Sequence, residues 1–216
     1  MLKSKSTEVM FQRAEELFNR ISQDNEVLHI FKYHSLRVMH FSYRLASVVG
    51  YADEDMKVAG LLHDIGKIGV AKEILLKPSR LDELEYQIIQ AHSTIGNNIL
   101  RKTLDLPRAA IFVRDHHEHW NGNGYPRGLK GEDISLQGRI ISICDAFDTM
   151  TIDRRNYNRR TLTYEEAFAE LKRCSWTQFD GDLVLKFESM VNDLKLPDIQ
   201  RWSENSEEMV SIFKNK

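Results

Sequence analysis

Cysteine is nearly absent. Cys144 and Cys174 are the only two in 216 residues, too few for a disulfide framework or a cysteine zinc site, and Cys144, set in an apolar run, reads as a core residue. No apolar run approaches the roughly 18 to 20 residues of a membrane span. The opening "MLKSKSTEVM" lacks the apolar centre of a signal peptide, so a cytoplasmic protein is expected. Excess charge is missing too. A formal balance of −2 offers no overall attraction for nucleic acid or an anionic membrane, so any phosphate recognition must be local. There is no internal repeat, no low-complexity tract, and no visible receiver or sensor domain.

What is present is helix pattern. With 42% hydrophobic and 29% charged residues, the chain has the composition of one globular domain with a single large core. In "STEVMFQRAEELFNRIS", Met10, Phe11, Ala14, Leu17, Phe18 and Ile21 recur at three and four residues, the stripe of an amphipathic helix. Packing of that helix on its own domain is expected, with pairing in a homodimer as the alternative. A second helix is predicted from about Glu26 to Val49, stopped by Gly50, and a third after Asp53, interrupted by Gly66. Asp82 with Glu85 reads as a capping box, opening a helix with Leu84, Ile88, Ile95 and Ile99 inward. More helices follow Pro107, Ser135 and Thr163, the last with Glu166 as its box partner, and another spans Leu183 to Val191. Residues 120–134 read as loop. The expected fold is all-α: an N-terminal helix over 1–25, a main multi-helix bundle over 26–195, and a polar tail or short helix over 196–216.

Five histidines fall on apolar helix faces or beside acids: His34, His63, His92, His116 and His117. One alone is more often a hydrogen-bonded core residue; five in one domain point to a metal site. His29, His40 and His119 lack such support. In "LLHDIGKIG", His63 and Asp64 end an apolar helix, and "ISICDAFDTM" places Asp145 in another apolar run. A buried carboxylate needs a cation, and mixed imidazole and carboxylate donors suit iron, manganese, nickel or zinc rather than magnesium or calcium. Neighbours on a helix point about 100° apart, awkward for two ligands of one ion. His116 and His117 are therefore expected to serve two ions about 3.5 to 4 Å apart, one each, with Asp64 between them.

The blocks "YHSLRV", "LLHDIGKIGV", "ILLKPSRL", "AHSTIG", "DHHEHWNGNGYPRGLKGEDI", "RIISICDAFDTM" and "TQFDGDLV" resemble, in order, the HD-GYP domains, a branch of the HD metal-dependent phosphohydrolases. The resemblance spans about residues 32–187 and implies an all-helical fold around a metal site. It implies the ligands His34, His63, Asp64, His92, His116, His117 and Asp145. It implies hydrolysis of cyclic di-GMP by water activated between two divalent ions, iron or manganese first, with nickel or zinc as alternatives. Asp64 and Lys67 would be catalytic, Lys67 facing the site if its helix persists past Gly66. Gly124, Tyr125 and Pro126 form the name-giving triad, associated with substrate recognition and with diguanylate cyclase (GGDEF) partners. Gly122 and Gly124 are expected to supply backbone freedom in that loop. Arg154 and Arg159, with Arg160 as alternative to the latter, would contact phosphate.

Departures are few. Asn121 stands where the family commonly has aspartate. Ile30 stands where members with a third metal carry glutamate, one turn before His34, which implies two metals and a product mixture rich in linear pGpG before GMP. The competing readings are a phosphodiesterase for another cyclic dinucleotide, and a non-catalytic effector that binds the dinucleotide or a cyclase domain.

Overall fold

The computed structural model describes residues 2–24, 26–152 and 160–193, and side chains over 11–22, 32–152 and 160–193. The proposed phosphate contacts Arg154 and Arg159, the tail 196–216, and the side chains of His29 and Ile30 lie outside those residues. The described chain is all-helical: α1 (Leu2–Asp24), α2 (Glu26–Val48), α3 (Glu54–Leu62), α4 (Lys72–Leu75), α5 (Glu83–Thr103), α6 (Pro107–Asp115), α7 (Leu136–Thr151), α8 (Tyr164–Arg173) and α9 (Gly181–Asp193). Two 3-10 turns, Ile65–Gly69 and Gly131–Asp133, interrupt the order. Among the described residues the only β pairing is two isolated bridges, and no helix is long and apolar enough to cross a membrane.

Local signals set the helix starts. Asp53 accepts from the Met56 N–H, Ser135 from Gly138, and both Asp82–Glu85 and Thr163–Glu166 form complete capping boxes. Pro107 opens α6, where a missing N–H costs nothing. The main core is a cluster in which Phe41, Phe147 and Phe187 meet edge-to-face, with a small satellite of Val70 and Leu75 beside it. Ala14 and Phe18 of α1 join it, so this helix packs on its own domain. Cys144 is buried there as expected.

Two expectations fail locally. The third helix does not run to Gly66: α3 ends at Leu62, and His63 and Asp64 form a turn before the 3-10 segment. The inward face of α5 holds at Ile99, which packs on the core, but not at the start of the helix. Leu84 is 67% exposed and Ile88 36%, while His92, Ser93, Gly96, Asn97 and Leu100 are the buried residues. The cause is α5's partners. The Ile65–Gly69 turn and α6 pack against it, and the turn comes so close at His92 and Gly96 that small and polar residues must face it, while in the first half Ile89, not Leu84 or Ile88, packs on Val70 and Leu75.

Candidate metal centre

Five elements converge on one cluster. His34 comes from α2, His63 and Asp64 from the turn after α3, His92 from α5, His116 and His117 from the turn after α6, and Asp145 from α7. The ligand atoms fall into two groups, His34–His63–Asp145 and Asp64–His92–His116–His117, each within 4.8 Å. Asp64 joins them. Its Oδ1 lies 3.4 Å from His92 Nε2, and its Oδ2 lies 3.5 Å from His63 Nε2 and 3.8 Å from His34 Nε2. All seven sequence-derived ligand positions therefore come together.

The assignment of His116 and His117 to different ions does not hold. Both belong to the Asp64–His92 group. Neighbours on a continuing helix would point about 100° apart, but α6 stops at Asp115. In the turn that follows, the two rings lie 4.0 Å apart and only 41° out of parallel.

The histidines are oriented from behind. His63, His92 and His116 each donate Nδ1–H to the carbonyl three residues earlier, at Gly60 (2.9 Å), Ile89 (2.6 Å) and Val113 (2.5 Å). His34 Nδ1–H donates instead to Asp148 Oδ2 at 2.7 Å. With the proton on Nδ1, each ring presents an Nε2 lone pair to the cluster. The Nε2 atoms of His34 and His63 face one another at 3.2 Å, a repulsion that a cation between them relieves. Those of His92 and His116 are buried without any hydrogen-bond partner, unusual for buried polar atoms unless an ion takes them. The donor set thus fits divalent metal ions.

Electrostatics agrees. Burial pushes His92 and His116 down to about 4 and depresses His63 and His117, keeping neutral imidazoles, the form that ligates. Burial by itself would raise Asp64, but Lys67 and then the neighbouring imidazoles hold it well below the usual carboxylate range. Asp145 is held low likewise, against burial, by His34 and then His63. Lys67 Nζ lies 2.5 Å from Asp64 Oδ2. It reaches the site through the 3-10 turn, three residues after Asp64, not along a continued α-helix.

The glycine loop covers one side. Tyr125 stacks on His117, ring centroids 4.8 Å apart, and sits 6.3 Å from His92; burial raises its phenol well above the usual value, so the hydroxyl stays protonated. Gly122 has φ +87, as expected for a residue supplying backbone freedom. Gly124 serves otherwise: a Cβ there would stand 2.2 Å from the His119 nitrogen and 2.5 Å from the His117 carbonyl oxygen, so it is needed for close approach. The Asn121 amide oxygen accepts from the Asn123 N–H at 3.0 Å, a contact an aspartate would make equally. Arg160 pairs with Glu166 at the start of α8. His40 lies outside the cluster and accepts from Arg44.

Sequence reading missed three residues. Glu118, 2% exposed, accepts from the Arg127 and Leu129 backbone N–H groups at 2.7 and 2.9 Å and so clamps the loop. Asp148 and Arg37 stand behind His34. Signals existed: Glu118 adjoins the histidine pair, Arg37 is one turn from His34, and Asp148 is one turn from Asp145.

Comparison with known proteins supplies the family. The HD domain model matches residues 41–183. A cyclic di-GMP phosphodiesterase of Thermotoga maritima is 38% identical over 169 residues, covering 74% of this chain and 45% of that protein. A 3'3'-cGAMP-specific phosphodiesterase of Vibrio cholerae is 36% identical over 168 residues, covering 76% and 36%. The chain thus spans less than half of these relatives. Among solved structures, an HD-GYP-type protein from Bdellovibrio bacteriovorus shares the fold, with a TM-score of 0.62 over 86% of this chain and 70% of that one, at 15% identity. By the family-model match the chain belongs to the HD domain family, and its ordered motif blocks and Gly124-Tyr125-Pro126 loop resemble the HD-GYP branch.

Proposed function

We propose that this chain is a metal-dependent phosphodiesterase that opens cyclic di-GMP to linear pGpG. The observation that carries the reading is the pair of ligand groups joined by Asp64, with Lys67 beside that carboxylate. Two ions, iron or manganese first, would suit the imidazole-rich donor set. Bound there, they would supply Lewis acidity, making water nucleophilic near neutral pH and drawing charge from the non-bridging phosphate oxygens. The protein's own groups do the rest. Asp64 and Asp145 bring negative charge to the centre, and four buried, tethered imidazoles hold it rigid. Lys67 is close enough to Asp64 for its ammonium to meet a phosphate oxygen arriving at the cluster. The Tyr125 ring shields the His92–His117 side from water, and its protonated hydroxyl is a donor for substrate. Gly124 and Pro126 set that ring's backbone, and a diguanylate cyclase domain is the partner proposed for the same loop. Arg154 and Arg159 complete the proposed phosphate contacts.

Ile30 in place of a carboxylate supports two ions rather than three, and with them accumulation of pGpG before GMP. A second reading, hydrolysis of a mixed guanine–adenine cyclic dinucleotide, is favoured by the 36% identity to the Vibrio cholerae protein named for that specificity. One experiment separates them. Protein loaded with manganese or iron, metal content measured in parallel, is incubated with each cyclic dinucleotide and the products followed over time. Cyclic di-GMP turned over fastest, through pGpG, supports the proposal; preference for the mixed dinucleotide favours the second reading. No hydrolysis by fully loaded protein refutes both.

A further inference from the structure

His34 is held differently from the other tethered imidazoles. His63, His92 and His116 are fixed by carbonyls of their own helices, whereas His34 is fixed by Asp148 on α7, 114 residues away. Asp148 is itself gripped at both oxygens by Arg37, Nε to Oδ1 at 2.5 Å and Nη2 to Oδ2 at 3.0 Å. Both residues are buried, Arg37 at 4% exposure and Asp148 at 1%. The arrangement is symmetrical in sequence. On α2 the ligand His34 is followed three residues later by Arg37, and on α7 the ligand Asp145 by Asp148. One turn of each helix thus carries a ligand and a clamp residue, and closing the clamp brings His34 Nε2 within 3.1 Å of Asp145 Oδ1.

Resting on the two-ion reading above, we propose that Arg37 and Asp148 are positioning residues for one half of the centre. They set the His34–His63–Asp145 group and leave the Asp64–His92–His116–His117 group alone. The physical reason is directional. A carboxylate on Nδ1 fixes the tautomer and plane of the ring and increases its basicity at Nε2, and the planar guanidinium fork holds that carboxylate in one orientation. Among the described residues, the side-chain hydrogen bonds and ion pairs of Arg37 and Asp148 run to each other and to His34, not to the second group, whose His92 and His116 have their own backbone tethers.

The test is a two-site titration of metal-depleted protein with Mn2+, bound and free ion measured separately, on wild type and variants. Wild type should bind two ions. Asp148→Asn should bind one as wild type does and the other about 10- to 100-fold more weakly. Because Asp148→Asn leaves a buried guanidinium without its charge partner, the double variant Arg37→Gln/Asp148→Asn is measured beside it. With both charges gone it should fold and show the same selective loss, and that result stands even if the single variant does not fold. A purely structural role would lower the melting temperature and weaken both ions together. Equal weakening of both ions, wild-type affinity for both, or a double variant that fails to fold overturns the proposal. Wild type that binds no Mn2+ instead overturns the metal reading beneath it.

Discussion

Replacing Gly66 by Ala should perturb the candidate metal centre without replacing any of its proposed ligands. A Cβ at residue 66 would stand 1.9 Å from the His92 carbonyl oxygen, 2.7 Å from the Gly96 nitrogen and 2.8 Å from the His92 carbonyl carbon. All three atoms are backbone of α5, so no side chain can swing aside. Ordinary contact needs roughly 3.4 Å, so the 3-10 turn must retreat by about 1.5 Å. Gly66 lies between Asp64 and Lys67, and that retreat moves both relative to His92, which sits 3.4 Å from Asp64. Overpacking of this kind costs about 1 to 3 kcal/mol, and misplacing catalytic groups by about 1 Å can cost around 10²-fold in rate. Gly66→Ala should therefore fold with a lower melting temperature, weaken metal retention, and lose roughly two orders of magnitude in turnover. Gly50→Ala is the control. Gly50 has φ +80 with nothing within 4 Å of its Cβ position, so alanine there costs about 1 kcal/mol of backbone strain and leaves metal content and kcat unchanged. Thermal melts, metal analysis and turnover on the two variants decide the matter. A Gly66→Ala protein with wild-type turnover and metal content would refute the close-approach argument.

Asp64→Ala should abolish hydrolysis and lower metal content while the helical circular dichroism survives; a variant with full activity would sink the joined two-group centre. Lys67→Ala and Tyr125→Ala should each keep metal stoichiometry and lower kcat or raise KM, and loss of metal in both would show that these residues belong to the ligand scaffold instead. His40, kept neutral by burial and then by nearby Arg44, has its pKa lowered from 6.5 to about 4. Its contribution to stability is complete above pH 6.5 and is lost as pH falls through 4, because in that window the unfolded chain takes a proton that the native state refuses. Urea denaturation at pH 7 and pH 4.5 should therefore show His40→Gln losing less stability than wild type, by roughly 2 kcal/mol after allowance for partial exposure; parallel losses would contradict the assignment.

The candidate ligands, which the structure brings together in two groups, were legible because metal chemistry restricts residue type. Imidazoles and carboxylates on apolar helix faces are too costly to leave there without a function, and His34, His63, Asp64, His92, His116, His117 and Asp145 stood out for that reason. Helix starts were legible too, since a cap is a contact between residues three apart, as at Asp82–Glu85 and Thr163–Glu166. The clamp on His34 was harder to see. Asp148 and Arg37 are 111 residues apart, and nothing local marks two opposite charges as partners before α2 and α7 are packed.

By itself, then, the sequence determined which residues can ligate, where helices begin, and that the chain is all-α, because those properties rest on side-chain chemistry and on spacings of three and four residues. Tertiary structure decided how the candidate ligands group, which face of α5 is buried, and how Lys67 arrives at the cluster. Each depends on where a helix ends in space and what packs against it. α6 stops at Asp115, which turns His116 and His117 to one side of Asp64. The 3-10 turn presses on α5 at His92 and Gly96, an approach limited by backbone contact that no helical periodicity encodes, so the polar row of α5 faces inward while Leu84 stays in solvent.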